Sequence, residues 1–207
     1  MPRKNYQGEV NDKERSKLKL INAVGKVLRD KGYTGLTATN IAKSAGLSRR
    51  LITIYFDSVD DLIETYVRNK DYWTAASGNV SEMMQENKDS DIKKIIDHLL
   101  QNQLDYFYNN PEMQKIILWE ISQKTKIMYE VCEDRERLGF KVFELADHEF
   151  KDSTTDIRAV TALLVAGIYY MVLHAKSTDT LFCDIDINQP EGMQRIKKAI
   201  HTILQKA

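Results

Sequence analysis

The stretch from Thr37 to Phe56, TATNIAKSAGLSRRLITIYF, carries two short helical patterns separated by a three-residue turn that contains a glycine. That is the arrangement of a helix-turn-helix. Thr37 is of the type whose side-chain oxygen accepts a free amide of the first helical turn, so a helix is expected from there to Ser44. Ile41 and Ala42 turn one face of it inward, and Ala45 is small enough for close helix approach. Gly46 supplies the left-handed conformation that ends the helix, where a β-carbon would cost about 1 kcal/mol. Ser48 caps a second helix that runs to about Phe56. Leu47 before the cap and Ile52 within the helix form a hydrophobic staple, and Ile52 and Phe56 continue the inward face.

What points outward follows by subtraction: Arg49, Arg50, Thr53 and Tyr55, with Leu51 or Ile54 partly exposed. Residues in the first turn of a recognition helix reach base edges in the major groove. Arginine binds guanine O6 and N7 bidentately, Thr and Tyr hydroxyls hold phosphates, and an exposed Leu51 suits a thymine methyl. An ordinary helical hairpin with a basic exterior would show the same generic pattern.

Working outward, Leu20, Ile21, Val24, Val27 and Leu28 recur at helical spacing, which predicts a helix from Asp12 to Lys31 stopped by Gly32. Residues 1–11 lack such periodicity and read as a flexible basic arm. Ser58 to Asp61 forms a capping box that opens a long helix carrying Leu62, Ile63, Tyr66, Val67 and Trp73. Polar breaks near 87–91, 109–111, 123–126, 151–155 and 177–190 divide the rest into further helices. With 9 Gly and 3 Pro in 207 residues, and Leu181 to Ile187 better read as loop than strand, the fold class is all-α: a three-helix head on a larger helical body.

The net charge is zero, yet residues 1–56 hold 12 Lys/Arg against 4 Asp/Glu. A basic N-terminal quarter on a neutral protein is an electrostatic footprint for a polyanion. Cys132 and Cys183 match no metal spacing and read as reduced thiols. The charged first twenty residues argue against a secretory signal, and a cytoplasmic protein is expected. Ala159 to Ala175 is uncharged but at the short edge of a membrane span; it reads as a mostly buried helix, and no membrane partner is expected. His98, His148, His174 and His201 form no metal-binding helix pair, and no nucleophile elbow or phosphate loop appears. An enzyme is therefore not expected, nor any cofactor or metal.

The run from Leu20 to Tyr66 resembles the DNA-binding head of TetR-family repressors. The resemblance rests on Lys31-Gly32-Tyr33, Thr37, Ile41 to Ser48, Tyr55 to Ser58 and Leu62. It implies a DNA-binding domain over 12–57 and an effector-binding and dimerisation domain over 58–207. It also implies a homodimeric repressor, released from double-stranded operator DNA by an unknown small-molecule effector. Thr37, Arg49, Arg50, Leu51, Thr53 and Tyr55 are then the DNA-contacting set. Two departures stand out: the usual phosphate-contacting Tyr is Thr53, and the Lys that commonly follows the capping serine is Val59. They motivate an alternative, a helical ligand-binding protein whose head has weakened or lapsed.

In such a body the last two long helices form the dimer. Here those are about Thr155 to Lys176 and Glu191 to Gln205, with Leu164, Gly167, Ile168, Met171, Ile196, Ile200 and Ile203 as the interface set. The middle helices carry aromatic and Met residues interspersed with polar groups, the composition of a small-molecule pocket. The expected lining is Trp73, His98, Asn102, Tyr106, Trp119, Met128 and Cys132.

Overall fold

Side-chain caps and glycines set most helix ends in the computed structural model, which describes residues 8–73 and 92–207. The first helix, α1 (Gly8–Lys31), starts four residues before the expected Asp12, so Gly8 to Asn11 of the predicted arm are helical. The remainder of that arm lies outside the described residues. A 3₁₀ turn, Tyr33–Gly35, leads into α2 (Ala38–Ala45). Thr37 Oγ1 accepts the Asn40 amide at 3.2 Å. Gly46, at φ +67°, closes the helix, and the Leu47 N–H reaches back to the Ala42 carbonyl at 3.0 Å.

The next helix, α3 (Arg50–Phe56), follows with Ser48 Oγ accepting the Arg50 amide at 3.3 Å. Asp57, at φ +62°, reverses the chain; a short polar side chain tolerates that conformation better than most. Ser58 then caps α4 (Val59–Lys70): its hydroxyl accepts the Asp61 amide at 3.0 Å and donates to the Asp61 carboxylate. The serine half of the expected capping box is formed, whereas the Ser58 N–H donates to the Phe56 carbonyl at 2.7 Å, not to Asp61.

Residues up to Asp71, together with Lys115–Val131, make one compact unit. In it α1 packs against α2 and α4, and α3 against α4. Leu20, Val24 and Leu28 of α1, Ile41 of α2, Ile52 of α3, and Leu62 and Tyr66 of α4 are all buried. Gly25 is fitted to this packing, since a β-carbon there would stand 2.5 Å from the Tyr66 hydroxyl. Tyr33 lies parallel to the buried Trp119, ring centres 5.9 Å apart.

The second unit comprises Tyr72–Gln114 and Cys132–Ala207. Its spine is α5 (Ile92–Asn109), against which α8 (Ile157–Thr178) and α9 (Pro190–Lys206) pack. The other helices are α6 (Pro111–Ser122) and α7 (Lys126–Glu149), each with residues in both units. Ile96, Leu100 and Phe107 of α5, Ile168 and Val172 of α8, and Ile200 and Leu204 of α9 are buried. Lys197 Nζ–Asp105 at 2.6 Å and His201 Nδ1–Asp97 at 2.7 Å bracket the α5–α9 seam. Among the described residues, β structure is limited to one isolated bridge, Phe182 to Ile185, in the segment expected to be loop.

Two positions yield stability predictions. A β-carbon on Gly192 would lie 1.9 Å from the Asp186 carbonyl oxygen, and backbone cannot yield as a flexible side chain does. Gly192→Ala is expected to cost about 3 kcal/mol, lowering Tm by roughly 6–12 °C in calorimetry; an unchanged Tm would show that the turn before α9 adapts freely. Tyr72 donates its hydroxyl to the Leu99 carbonyl at 2.9 Å. Burial, with a smaller effect of Tyr169, pushes its phenol up to about 12. A raised folded-state pKa stabilises below the free tyrosine value and loses that contribution as pH climbs through about 12. Tyr72→Phe should therefore flatten the alkaline fall in Tm between about pH 10 and 12; an identical fall in both proteins would remove Tyr72 as its cause.

Candidate functional site

The cap at Ser48 and the buried Ile52 fix which face of α3 is free. Arg49, Arg50 and Thr53 are exposed on it, as is Thr37 at the start of α2, while Leu51 and Tyr55 are half-buried. Ile54, not Leu51, is the exposed apolar side chain of this face, 55% accessible. Arg49 Nη1 donates to Thr39 Oγ1 on α2 at 3.4 Å, which ties the guanidinium to the preceding helix. Asn40 holds the α1–α2 connection, donating to the Gly35 carbonyl at 2.9 Å and accepting from Lys31 Nζ at 3.0 Å. Thr39, ten positions before Arg49 on the preceding helix, was not among the expected residues, whereas Ile54 was the alternative to Leu51. The departing Val59 is the first residue of α4, half-buried. Asp60 and Asp61 sit in that helix's first turn, where negative charge complements the helix dipole. Their presence near the head thus has a structural cause.

The expected pocket residues fall in different places. Trp73 and Tyr106 belong to an aromatic group around Tyr72, ring centres 5.2 and 5.5 Å from it. Trp73 Nε1 donates to the Tyr169 hydroxyl at 3.3 Å, and Tyr169 meets Phe107 edge-on at 4.8 Å. Cys132 is half-buried and forms no disulfide. Trp119 and Met128 are buried in the other unit. His98 and Asn102 are exposed and bonded to each other at 2.8 Å, on the solvent side of α5. One buried polar residue, Gln103, lies on the opposite side of α5.

A separate open cleft of about 250 Å³ is lined by Glu133, Glu136, Arg137, Phe140, Phe143 and Arg158. Its cations are already engaged. Arg158 grips Asp147 with two nitrogens and lies 4.9 Å over the Phe143 ring, and Arg137 pairs with Asp134.

Of the expected dimer residues, Ile168 and Ile200 are buried inside the protomer. Leu164, Gly167, Met171 and Ile196 are half-buried, and Ile203 is 44% accessible. The free face of α8 is nevertheless apolar. Ala159, Leu163, Ala166 and Tyr170 are exposed at helical spacing, Leu163 at 75% and Tyr170 at 55%. By length and composition α8 is apolar enough to cross a membrane, and only 22% of its most apolar window is buried. The mostly buried helix expected from sequence is therefore half-covered in the protomer. Its inner side packs on α5, so the exposed stripe calls for a cover of its own.

The geometry defines a class: an all-helical protein with a helix-turn-helix presenting two arginines. Residues 20–66 match the family model described as bacterial regulatory proteins, tetR family. No curated protein matches the chain. Solved structures share the fold over nearly its whole length. The Bacillus subtilis regulator FadR in complex with stearoyl-CoA superposes with a TM-score of 0.66 at 15% identity, over 90% of this chain and 96% of that one. The fatty acid degradation regulator FadR of Bacillus halodurans gives 0.66 at 16%, over 98% and 96%. A TetR family regulator from Marinobacter aquaeolei VT8 gives 0.67 at 13%, over 95% and 97%. The chain has the fold of a TetR-family transcriptional regulator.

Proposed function

We propose that this protein is a cytoplasmic homodimeric repressor that binds operator DNA through α3 and is released by a small-molecule effector held in its second unit. The observation that carries the reading is the capped α3, which exposes Arg49, Arg50 and Thr53 on one face while Ile52 anchors the other. A rigid helix presenting guanidinium groups from its first turn is built for guanine edges and flanking phosphates. Thr37, Leu51 and Tyr55 complete the contact set, Thr37 at an exposed helix start suited to a phosphate.

The dimer reading draws on the uncovered stripe of α8, which a two-fold copy would bury against its own equivalent. The proposed organisation keeps a DNA-binding domain over 12–57 and an effector and dimer domain over 58–207. FadR of Bacillus subtilis was solved with stearoyl-CoA, and the aromatic group around Tyr72, Trp73 and Tyr106 supports an apolar effector here too. Thr53 and Val59 favour the second reading, a ligand-binding protein with a lapsed head.

Selection from a random duplex library separates the two. The repressor reading expects an enriched inverted repeat whose half-site centres lie about one helical turn, or a multiple of it, apart. Recovery of no motif would favour the lapsed head.

A further inference from the structure

Gln103 is 0% exposed, and among the described residues neither its Nε2 nor its Oε1 has a hydrogen-bond partner. A buried amide left unpaired is costly, which is why such groups are rare in native cores. Gln114 and Thr161, also buried in this unit, are satisfied. Gln114 Nε2 donates to the Phe107 and Tyr108 carbonyls at 2.8 and 3.1 Å, and Thr161 donates to the Ile157 carbonyl at 2.8 Å. Helical register puts Leu99 and Phe107 one turn to either side of Gln103, both buried. Beyond them, Tyr72 bonds the Leu99 carbonyl and Tyr169 lies against Phe107. The orphaned amide thus shares its helix face with buried apolar residues.

We infer that Gln103 is the polar anchor of a ligand site in the second unit, and that the ligand is an uncharged, largely apolar molecule with a carboxamide-type head. A carboxamide offers one donor and one acceptor side by side, which matches both free atoms of Gln103 in a paired contact. A carboxylate head would offer acceptors only, so it would meet the Gln103 Nε2 donor but set an anionic oxygen against Oε1. The inference rests on the effector reading for its regulatory meaning, and the test separates the two.

Octanamide, octanoate and methyl octanoate share a short apolar tail and differ in the head. Thermal unfolding is followed with each, for the wild type and for Gln103→Leu. Gln103→Met, closer in length, guards against a packing artefact. Octanamide is expected to raise the wild-type Tm by roughly 3–5 °C at ten times its Kd. Octanoate is expected to leave it unchanged, and the ester, an acceptor only, to act weakly. Both variants should unfold at a higher temperature than wild type without ligand, because the orphaned amide is gone, and should lose the octanamide shift. Equal shifts with octanamide and octanoate, no shift with octanamide, or variants that lose stability yet keep the shift would each overturn the assignment. Operator binding is scored in parallel: an octanamide shift that leaves operator affinity untouched keeps the Gln103 site and removes its role as an effector site. Release by unrelated compounds, with no octanamide shift, does the reverse.

Discussion

Replacing Arg49 and Arg50 together with alanine is expected to weaken operator binding by about 100-fold, since a bidentate arginine–guanine contact contributes roughly 1–3 kcal/mol. Both side chains are exposed, and the cap of α3 is made by Ser48 Oγ on the Arg50 amide, which alanine retains. Helicity and Tm should therefore stay close to wild type, and the loss should be read as lost contact. The salt dependence separates the two kinds of contact. The slope of log K against log salt should fall by about 0.9 for each arginine that met a phosphate. An unchanged affinity and slope would assign DNA binding to some other surface. Because Arg49 is also held by Thr39, Thr39→Val should give a smaller loss of the same kind.

Leu163→Lys should convert the protein to a monomer at micromolar concentration, measured by light scattering. Leu163 is the most exposed large apolar side chain of α8 and lies mid-way along the stripe from Ala159 to Tyr170. In a two-fold interface each substitution places two ammonium groups against apolar surface, without a partner carboxylate. Operator affinity should then fall by roughly 10²–10⁴, because the second head no longer binds at the effective concentration set by the first. Since Leu163 makes little contact within the protomer, helicity should be retained. A variant that stays dimeric would move the interface off this stripe, to the faces of α9 around Ile203 or elsewhere.

Local chemistry made the head legible. Thr37, Gly46 and Ser58 act on backbone groups within a few residues of themselves, and the helix ends they predict are found, whereas α3 starts one residue later than a Ser48 cap implies, with Arg49 as its N-cap. Distance along the chain limited the rest. Trp119, expected in a ligand pocket, stacks on Tyr33 more than eighty positions earlier, a pairing that no local pattern encodes. On α5 the composition was readable but the face was not. His98 and Asn102 share the solvent side, while Leu99, Gln103 and Phe107, each one position further, share the buried side. On α8 the difficulty is the opposite. Apolar residues run almost all the way round, so periodicity could not tell Ile168, which the protomer buries, from Leu163, which it leaves outside. For α3, subtraction left Leu51 and Ile54 as equal choices for the exposed apolar contact, and packing against α4 settled it for Ile54.

The central claim, that a dimer reads operator DNA through α3, is tested most directly by a mobility-shift titration against the DNA upstream of its own gene. It should be run over a range of salt with nonspecific competitor. The account predicts a discrete complex of two chains per duplex that survives competitor. It also predicts that affinity falls linearly with salt on logarithmic axes and that Arg49→Ala/Arg50→Ala moves the titration to about 100-fold higher protein concentration. Weak binding that competitor removes, equal in the wild type and the double variant, would contradict it.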